Sequence, residues 1–298
     1  MAKLLHVNLN SFKARKPELS VLVQELKPHI VSLNETKSPV DGPPPLLGYR
    51  VASRADISSH QGGVAILIKH GITYTKINFP KHPQRQAVGI TVKINNTEVA
   101  IISYYNSTTL DPTVFSDICN KYQQCIILGD LNSKHQTFGC KTTDHNGDIL
   151  FNCTEQHNLL KLNGPEPTFF RNQYSELLDY VLATPKISSW FNSCYITDCI
   201  GSDHAPILTE FKTGSNLTST PLKTITQYKG IKWPQCNQDI INQLTKLNIN
   251  QPIPNAQTLE QLIHTSGKII ATTIEKHAPK IKIKPYADTV SPETLNLI

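Results

Sequence analysis

Cys125-Ile126-Ile127-Leu128-Gly129-Asp130-Leu131-Asn132 is the stretch that decides how this chain is read. Its apolar start has the length of a fully buried strand. Gly129 ends the run, so the polar side chains that follow are expected at a sheet edge. Asp130 and Asn132 are two residues apart, and extended backbone would point both the same way. A carboxylate that takes a proton from water, beside an amide that orients it, suits a hydrolytic site. The same four residues from Gly129 also make good turn chemistry, so alone they do not establish one.

Working outward, residues 1–211 read as mixed strands and helices. Strands are expected at Lys3–Asn8, Ile30–Leu33, Val64–Ile68 (after Gly62-Gly63), Gln86–Ile94, Glu98–Tyr105, Leu177–Leu182, Tyr195–Ile200 and Ile207–Phe211. Asn95-Asn96 reads as a hairpin turn between two of them. A helix is expected to open at Pro17-Glu18 and continue through Leu19, Leu22, Val23 and Leu26. Pro112–Tyr122 and Asp148–His157 suit two more helices. Hairpins with few helices argue for an α/β sandwich of largely antiparallel strands rather than a doubly wound sheet.

The character changes after Phe211. Gly214–Thr220 reads as a linker, and seven prolines punctuate residues 212–298. Ile240, Ile241, Leu244 and Leu247 have helical spacing, as do Leu259, Leu262, Ile263, Ile269 and Ile270, so a few short helices on a basic tether are expected. Ten Lys against five acids give this tail +5 of the chain's net +6, and residues 1–211 are nearly neutral. Nucleic-acid affinity in the first part must therefore come from local patches. Seven cysteines without a C-x-x-C pair speak against a disulfide framework or zinc site and for a reducing compartment. No apolar run approaches the ~20 residues of a membrane span, and the first residues read as a strand, not a secretory signal.

Other segments carry chemistry that is weak singly. Gly201-Ser202-Asp203-His204-Ala205-Pro206 sets an Asp-His pair before a strand, as metal ligand and phosphate-facing imidazole or as a loop with a satisfied His. Asn34-Glu35-Thr36 ends a strand with a hard oxygen donor suited to Mg²⁺, or with a surface Glu. Asn8 and Asn10 follow the first strand. Asp179 lies among apolar strand residues, where a carboxylate is costly unless paired or coordinated.

Together these blocks resemble a known family. Asn8, Asn34-Glu35-Thr36, Tyr104-Tyr105-Asn106, Gly129-Asp130-Leu131-Asn132, Pro167-Thr168-Phe169, Leu178-Asp179-Tyr180 and Ser202-Asp203-His204, in that order, resemble the endonuclease/exonuclease/phosphatase superfamily. The wording Gly129-Asp130-Leu131-Asn132-Ser133-Lys134-His135, Phe138-Gly139 and Asn146-Gly147 is similar to the endonuclease domain of LINE-type (non-LTR) retrotransposons. Leu131 stands where the family has Phe, Phe138 where it has Trp, and Ser107-Thr108-Thr109 where it has prolines. The resemblance covers residues 1–211 firmly and the tail loosely, as a linker toward a reverse transcriptase that residues 212–298 do not contain.

The resemblance implies a four-layer α/β sandwich of two mostly antiparallel or mixed sheets flanked by helices. It implies an Mg²⁺-dependent endonuclease, with Mn²⁺ as substitute, that nicks target DNA and leaves a 3′-hydroxyl to prime reverse transcription. Glu35 would be the main metal ligand, with Asn8 and Asp203 completing or flanking the site. Asp130 would activate or orient the attacking water, and Asn132 hold it or the phosphate. His204 would contact the phosphate and Asp179 orient His204. Tyr105 (or Tyr104, on a one-residue shift) would be the site tyrosine, and Thr168 a phosphate contact. His135 is read as supporting. The implied partners are duplex DNA, a C-terminal reverse transcriptase and element RNA, with no membrane, in the nucleus or in the cytoplasm before import. Arg54, Arg85, Lys134, Lys141, Arg171, a hairpin near Asn172–Ser175 and the run Lys276–Lys284 are candidate DNA contacts. Repair of abasic sites, a small-molecule phosphoesterase of the same superfamily and a binding module with a decayed site are the competing readings.

Overall fold

The computed structural model describes residues 1–38, 46–55, 62–79, 86–214, 224–226, 230–247 and 255–282. Arg85, Lys284 and most of the expected linker lie outside them. The chain divides into two compact units, Met1–Thr220 and Pro221–Ile298.

The first unit begins β1 (Ala2–Asn8), α1 (Phe12–Leu26), β2 (Ile30–Asn34), β3 (Tyr49–Ala55), β4 (Val64–Lys69), β5 (Tyr74–Ile77), β6 (Gln86–Ile94) and β7 (Thr97–Tyr105). It continues α2 (Thr113–Cys119), β8 (Cys125–Asp130), α3 (His145–Gln156), β9 (Leu160–Lys161), β10 (Phe169–Arg171) and β11 (Tyr174–Glu176). It ends β12 (Asp179–Ala183), α4 (Pro185–Ser188), β13 (Phe191–Ile196) and β14 (Ile207–Phe211). Two six-stranded sheets form, ordered β13-β14-β1-β2-β4-β3 and β5-β6-β7-β8-β12-β9. Both are mixed, since β1 pairs parallel with β2 and β7 with β8.

Strand alternation builds the layers. One face of each sheet meets the other sheet in a shared core that includes Leu4, Ile30, Ile66, Ile90, Ile101, Ile126, Leu128 and Val181. The outer face of the first sheet, with Leu5, Val7, Val31 and Leu67, packs on Leu19, Leu22 and Val23 of α1. The outer face of the second, with Ile102, Ile127, Tyr180 and Leu182, packs on α2 and α3 through Phe115, Ile118, Leu150 and Cys153. This is the four-layer α/β sandwich expected. The Asn95-Asn96 turn has φ of 50° and 60°, the backbone a tight hairpin of the primed type requires.

Several elements differ from the sequence reading. α1 starts at Phe12, and Pro17 lies inside it. Buried Phe12 and two backbone bonds, Ser11 N to Glu35 O and Phe12 N to Thr36 O, anchor an earlier start than the proline suggests. α2 is shorter than Pro112–Tyr122. β8 runs through Gly129 to Asp130 instead of stopping at the glycine. β13 ends at Ile196 because its partner β14 begins after Pro206, and Ile200 turns back to pack with the α1 layer. β3 and β5 carry too weak an alternation to have been read as strands.

In the second unit, β15 (Thr224–Thr226) pairs with β16 (Lys280–Lys282), and α5 (Trp233–Leu244) packs on α6 (Ala256–His277). α6 is a single 22-residue helix rather than a short one, because Asn255 caps it at Thr258 N and its apolar spacing continues to Ile274. Among the described residues no helix is long and apolar enough to cross a membrane. All seven cysteines are free.

Two glycines carry close approaches that no other residue allows. A Cβ on Gly129 would lie 1.7 Å from Tyr104 O, and one on Gly147 would lie 1.7 Å from Lys134 O. Gly129→Ala and Gly147→Ala each lower folding stability by about 3 kcal/mol, seen as a lower urea midpoint. A wild-type midpoint in either variant contradicts the packing described.

Candidate active site

The inward face of five strands turns from apolar to polar toward one end of the sandwich. Along β1 it runs Leu4, His6, Asn8; along β2, Ile30, Ser32, Asn34; along β7, Ile101, Ser103, Tyr105. On β8 it runs Ile126, Leu128, Asp130, and on antiparallel β12, Ala183, Val181, Asp179. Asp130 and Asp179 are direct cross-strand partners, and both are buried. Apolar residues hold the far end of each strand, and the near ends deliver one polar cluster.

Three loops complete it. After β2, Glu35 adopts φ 48°, and Gly63 O and Gly62 O accept from Thr36 N and Lys37 N, which fixes the turn. After β8, Asn132 adopts φ 44°, its N–H donates to Asp130 Oδ1, and its Nδ2 donates to Asn106 O at 2.7 Å. Asn132 is thus brought beside Asp130 by a left-handed turn, not by the strand alternation expected. Asn146 Nδ2 donates to Asn132 O, and Asp144 Oδ1 accepts from Lys134 N and Gly147 N, which explains the Asn146-Gly147 wording. Before β14, Ala205 N donates to Thr168 O and Phe170 N to Asp203 O, so β10 holds His204 in place. The Phe169 ring stands edge-on to the His204 imidazole.

These parts line a cavity of about 490 Å³ that includes Asn10, Glu35, Tyr105, Asp130, Asn132, Asp203 and His204, with Lys134, Arg171 and Tyr174 also in its wall. Glu35, Asp130 and His204 each offer a ligand atom within 4.8 Å of the others, a set able to hold a metal ion. Asn8 Nδ2 donates to Glu35 Oε1 at 3.1 Å and to Asp130 Oδ2 at 2.8 Å. Its Oδ1 accepts from Asn10 N, so Asn8 meets the carboxylates as a donor. Asp203 Oδ1 faces Asn10 Nδ2 at 3.2 Å and is not in the three-residue cluster.

Asp179 is enclosed by donors. His204 Nδ1 is 2.7 Å from its Oδ2, Thr168 Oγ1 donates to the same oxygen at 2.6 Å, and His6 Nε2 is 2.9 Å from Oδ1. Burial opposes its charge, but the two imidazoles and their hydrogen bonds outweigh it and hold Asp179 well below the usual carboxylate range. Asp130 goes the other way: burial, then the charge of Asp179, push it up to about 8. Burial alone would lower His204, but the charge and hydrogen bond of Asp179, then Asp130 and Asp203, raise it to about 9. Tyr105 is pushed upward by burial and by the charges of Glu35 and Asp130, and its phenol hydrogen-bonds Glu35.

Of the two tyrosines, Tyr105 lines the cavity, and Tyr104 packs on Phe115 with its hydroxyl accepting from Asp111 N. Thr168 is fully buried with its hydroxyl turned to Asp179, so it faces away from any phosphate in the cavity. His135 stacks on Phe151 at 4.6 Å and accepts from Thr137 N, a supporting place. The hairpin β10–β11 stands at Asn172, with exposed Phe170 and Tyr174. Sequence reasoning missed Lys37, whose ammonium bridges Glu35 Oε2 and Asn10 Oδ1. It also missed His6, Ser32 and Ser103. Their signal was positional: each sits two residues before Asn8, Asn34 or Tyr105 on the same strand face.

Residues 99–208 match a family profile described as Endonuclease-reverse transcriptase. Among solved structures, the endonuclease domain of TRAS1, a telomere-specific non-LTR retrotransposon, aligns with TM-score 0.60 at 20% identity, covering 72% of this chain and all of that one. The AP endonuclease LMAP from Leishmania major aligns with TM-score 0.60 at 14% identity over 70% of this chain and 86% of its own. An AP endonuclease from Archaeoglobus fulgidus gives 0.56 at 19% identity over 72% and 100%. No curated protein sequence matches. The Met1–Thr220 unit thus shares its fold with these nucleases, and residues 99–208 within it carry the match to the Endonuclease-reverse transcriptase profile.

Proposed function

We propose that this unit nicks duplex DNA with the help of a divalent cation, leaving a 5′-phosphate and a 3′-hydroxyl that primes reverse transcription. One observation supports this most: two carboxylates and an imidazole, Glu35, Asp130 and His204, converge on one open cavity. The donors fit a hard cation. Carboxylates dominate, His204 Nδ1 is already committed to Asp179, and the cavity has room for the waters Mg²⁺ retains. Glu35 is the main ligand in this reading, with Asp203 flanking, and Mn²⁺ can substitute. The cation would neutralise phosphate charge and stabilise the leaving oxygen.

The chain's own residues do the rest. Asp130, with its affinity for a proton near neutrality, accepts one from the attacking water. Asn132 keeps one amide hydrogen free of Asn106 for that water or a phosphate oxygen. His204, held charged by Asp179 and therefore no ligand to the cation in this reading, turns Nε2 to the phosphate and offsets charge in the transition state. Tyr105 holds Glu35 through its phenol. Lys134, Arg171 and Lys141 position flanking phosphates from the hairpin side. A reverse transcriptase in the same polyprotein, element RNA and a nuclear place of action follow from this reading.

Supercoiled plasmid with Mg²⁺ is expected to become open circles ligatable at 3′-hydroxyl ends. Asp130→Ala lowers the rate by about 10²–10⁴-fold. Equal nicking by wild type and Asp130→Ala rejects the assignment, and cleavage confined to abasic duplexes assigns repair instead. Lys134→Ala weakens DNA binding and reduces the magnitude of the log–log salt slope by about 1, measured by titration at several salt concentrations.

pH gives a separate check on the metal-free protein. Both Asp130 and His204 have folded pKa values above their ordinary ones, so between those values the folded state binds more protons than the unfolded. Their contribution to stability is present at low pH. It is lost as pH rises through about 8 for Asp130 and about 9 for His204. The urea midpoint should fall from pH 5 to 9, and Asp130→Asn should flatten that fall. Mg²⁺ should raise the wild-type midpoint most at the alkaline end. A midpoint that rises with pH refutes the ionisation scheme.

A further inference from the structure

We infer that His6 is a positioning residue for the nuclease chemistry, acting through Asp179 from inside the sandwich. It sits on β1, 1% exposed, and is not among the residues that line the cavity. Its Nε2 lies 2.9 Å from Asp179 Oδ1, on the opposite carboxylate oxygen from His204. An ionised carboxylate only accepts, so Nε2 carries the proton that faces it. The two imidazoles therefore bracket one carboxylate. His204 Nδ1 and Thr168 Oγ1 occupy Oδ2, and His6 occupies Oδ1. A carboxylate held at both oxygens cannot rotate, so Oδ2 stays aimed at His204.

His6 is fixed in turn. Its Nδ1 is 3.1 Å from Ser32 Oγ, and Ser32 Oγ is 2.7 Å from Ser103 Oγ. Ser103 Oγ accepts from Asn34 Nδ2 at 3.1 Å, and Asn34 Oδ1 accepts from Asp130 N at 2.8 Å. One buried chain of polar groups thus joins Asp179 to the backbone of Asp130, crossing from the second sheet to the first and back twice. Apolar residues of the right volume could fill these inner positions, as they do one turn of the alternation earlier at Leu4, Ile30 and Ile101. Burying a run of polar groups is costly unless each is satisfied, and this one is. What the run adds is orientation of the Asp179 carboxylate against His204, and a fixed backbone at Asp130 across from it. Nothing in the role requires His6 to touch DNA or metal.

The inference rests on the nicking reading, and two measurements separate their failures. His6→Asn keeps an amide near Ser32 but is too short to reach Asp179. His6→Gln places an N–H close to where Nε2 was. Per folded molecule, His6→Asn should lower kcat for plasmid nicking by roughly 10–100-fold with KM unchanged, and His6→Gln should recover most of it. In an Asp179→Asn background, His6→Asn should cost less than about threefold more, because neighbours acting through one group are not additive. Equal losses in the Asn and Gln variants, or full additivity with Asp179→Asn, overturn the inference. The second measurement needs no activity: in proton NMR of the metal-free protein the His204 Nδ1–H bonded to Asp179 should resonate downfield. It should persist in His6→Gln and move or broaden in His6→Asn. An unchanged His204 signal in His6→Asn overturns the positioning role. A wild-type protein that fails to nick, with the His204 signal responding as stated, rejects the nuclease reading and leaves the positioning intact.

Discussion

Two buried carboxylates facing each other across adjacent strands are the constraint on which the site depends. Asp130 and Asp179 are register partners on β8 and β12, and neither reaches solvent appreciably. Like charges directly opposite in a sheet destabilise it, and burial raises the cost of each. The surroundings resolve this by treating the two differently. Asp179 is given His204, His6 and Thr168 and stays charged. Asp130 is given an amide and a backbone N–H, Asn8 and Asn132, with His204 Nε2 farther off at 3.7 Å, and burial and the charge of Asp179 prevail. Environments that push two titratable groups apart divide their roles. Asp179 stays charged and holds His204, and Asp130 keeps its proton to higher pH than an ordinary carboxylate does.

That arrangement requires backbone geometry regular strands cannot supply. Glu35, Asn132 and Asn10 all have positive φ, and all three line the cavity. Such conformations are unfavourable for residues other than glycine and persist where surrounding bonds determine them. Here those bonds are visible: Gly62 and Gly63 carbonyls behind Glu35, Asn106 and Asp130 around Asn132, and Lys37 on Asn10. Strand ends bring the side chains to the right depth, and tight left-handed turns swing the next ones beside them.

How legible this was depends on the range of the interaction. The buried strands β1, β2, β7, β8 and β14 were readable because their inward and outward faces are both apolar or regularly alternating over several residues. The helix at Phe12 was not placed correctly, because its start is set by backbone bonds to residues 35 and 36 and not by Pro17. Glu35, Tyr105, Asp130, Asn132, Asp203 and His204 could be named from ordered motifs, and they meet in one cavity. The pairing of Asp130 with Asp179 is a matter of strand register, which no local pattern carries. His6 was invisible for the same reason: a histidine within Lys3–Asn8 looks like an interruption of a strand until β12 is laid across from it.

The chemistry and the choice of substrate are therefore built on different parts of the domain. Everything that sets protonation and aim sits on strand ends or on turns pinned to them. The side chains on the hairpin wall are of another kind. Tyr174 is exposed, and the Lys134 and Lys141 ammonium groups each lie 5.8 Å from its ring centroid. Arg171 stands beside them in the cavity wall. On the proposed nicking reading, cations around an exposed aromatic ring suit phosphates and the face of a base. The inner seam from His6 to Asn34 lies outside the cavity lining, bonded to the Asp179 carboxylate at one end and to the Asp130 N–H at the other.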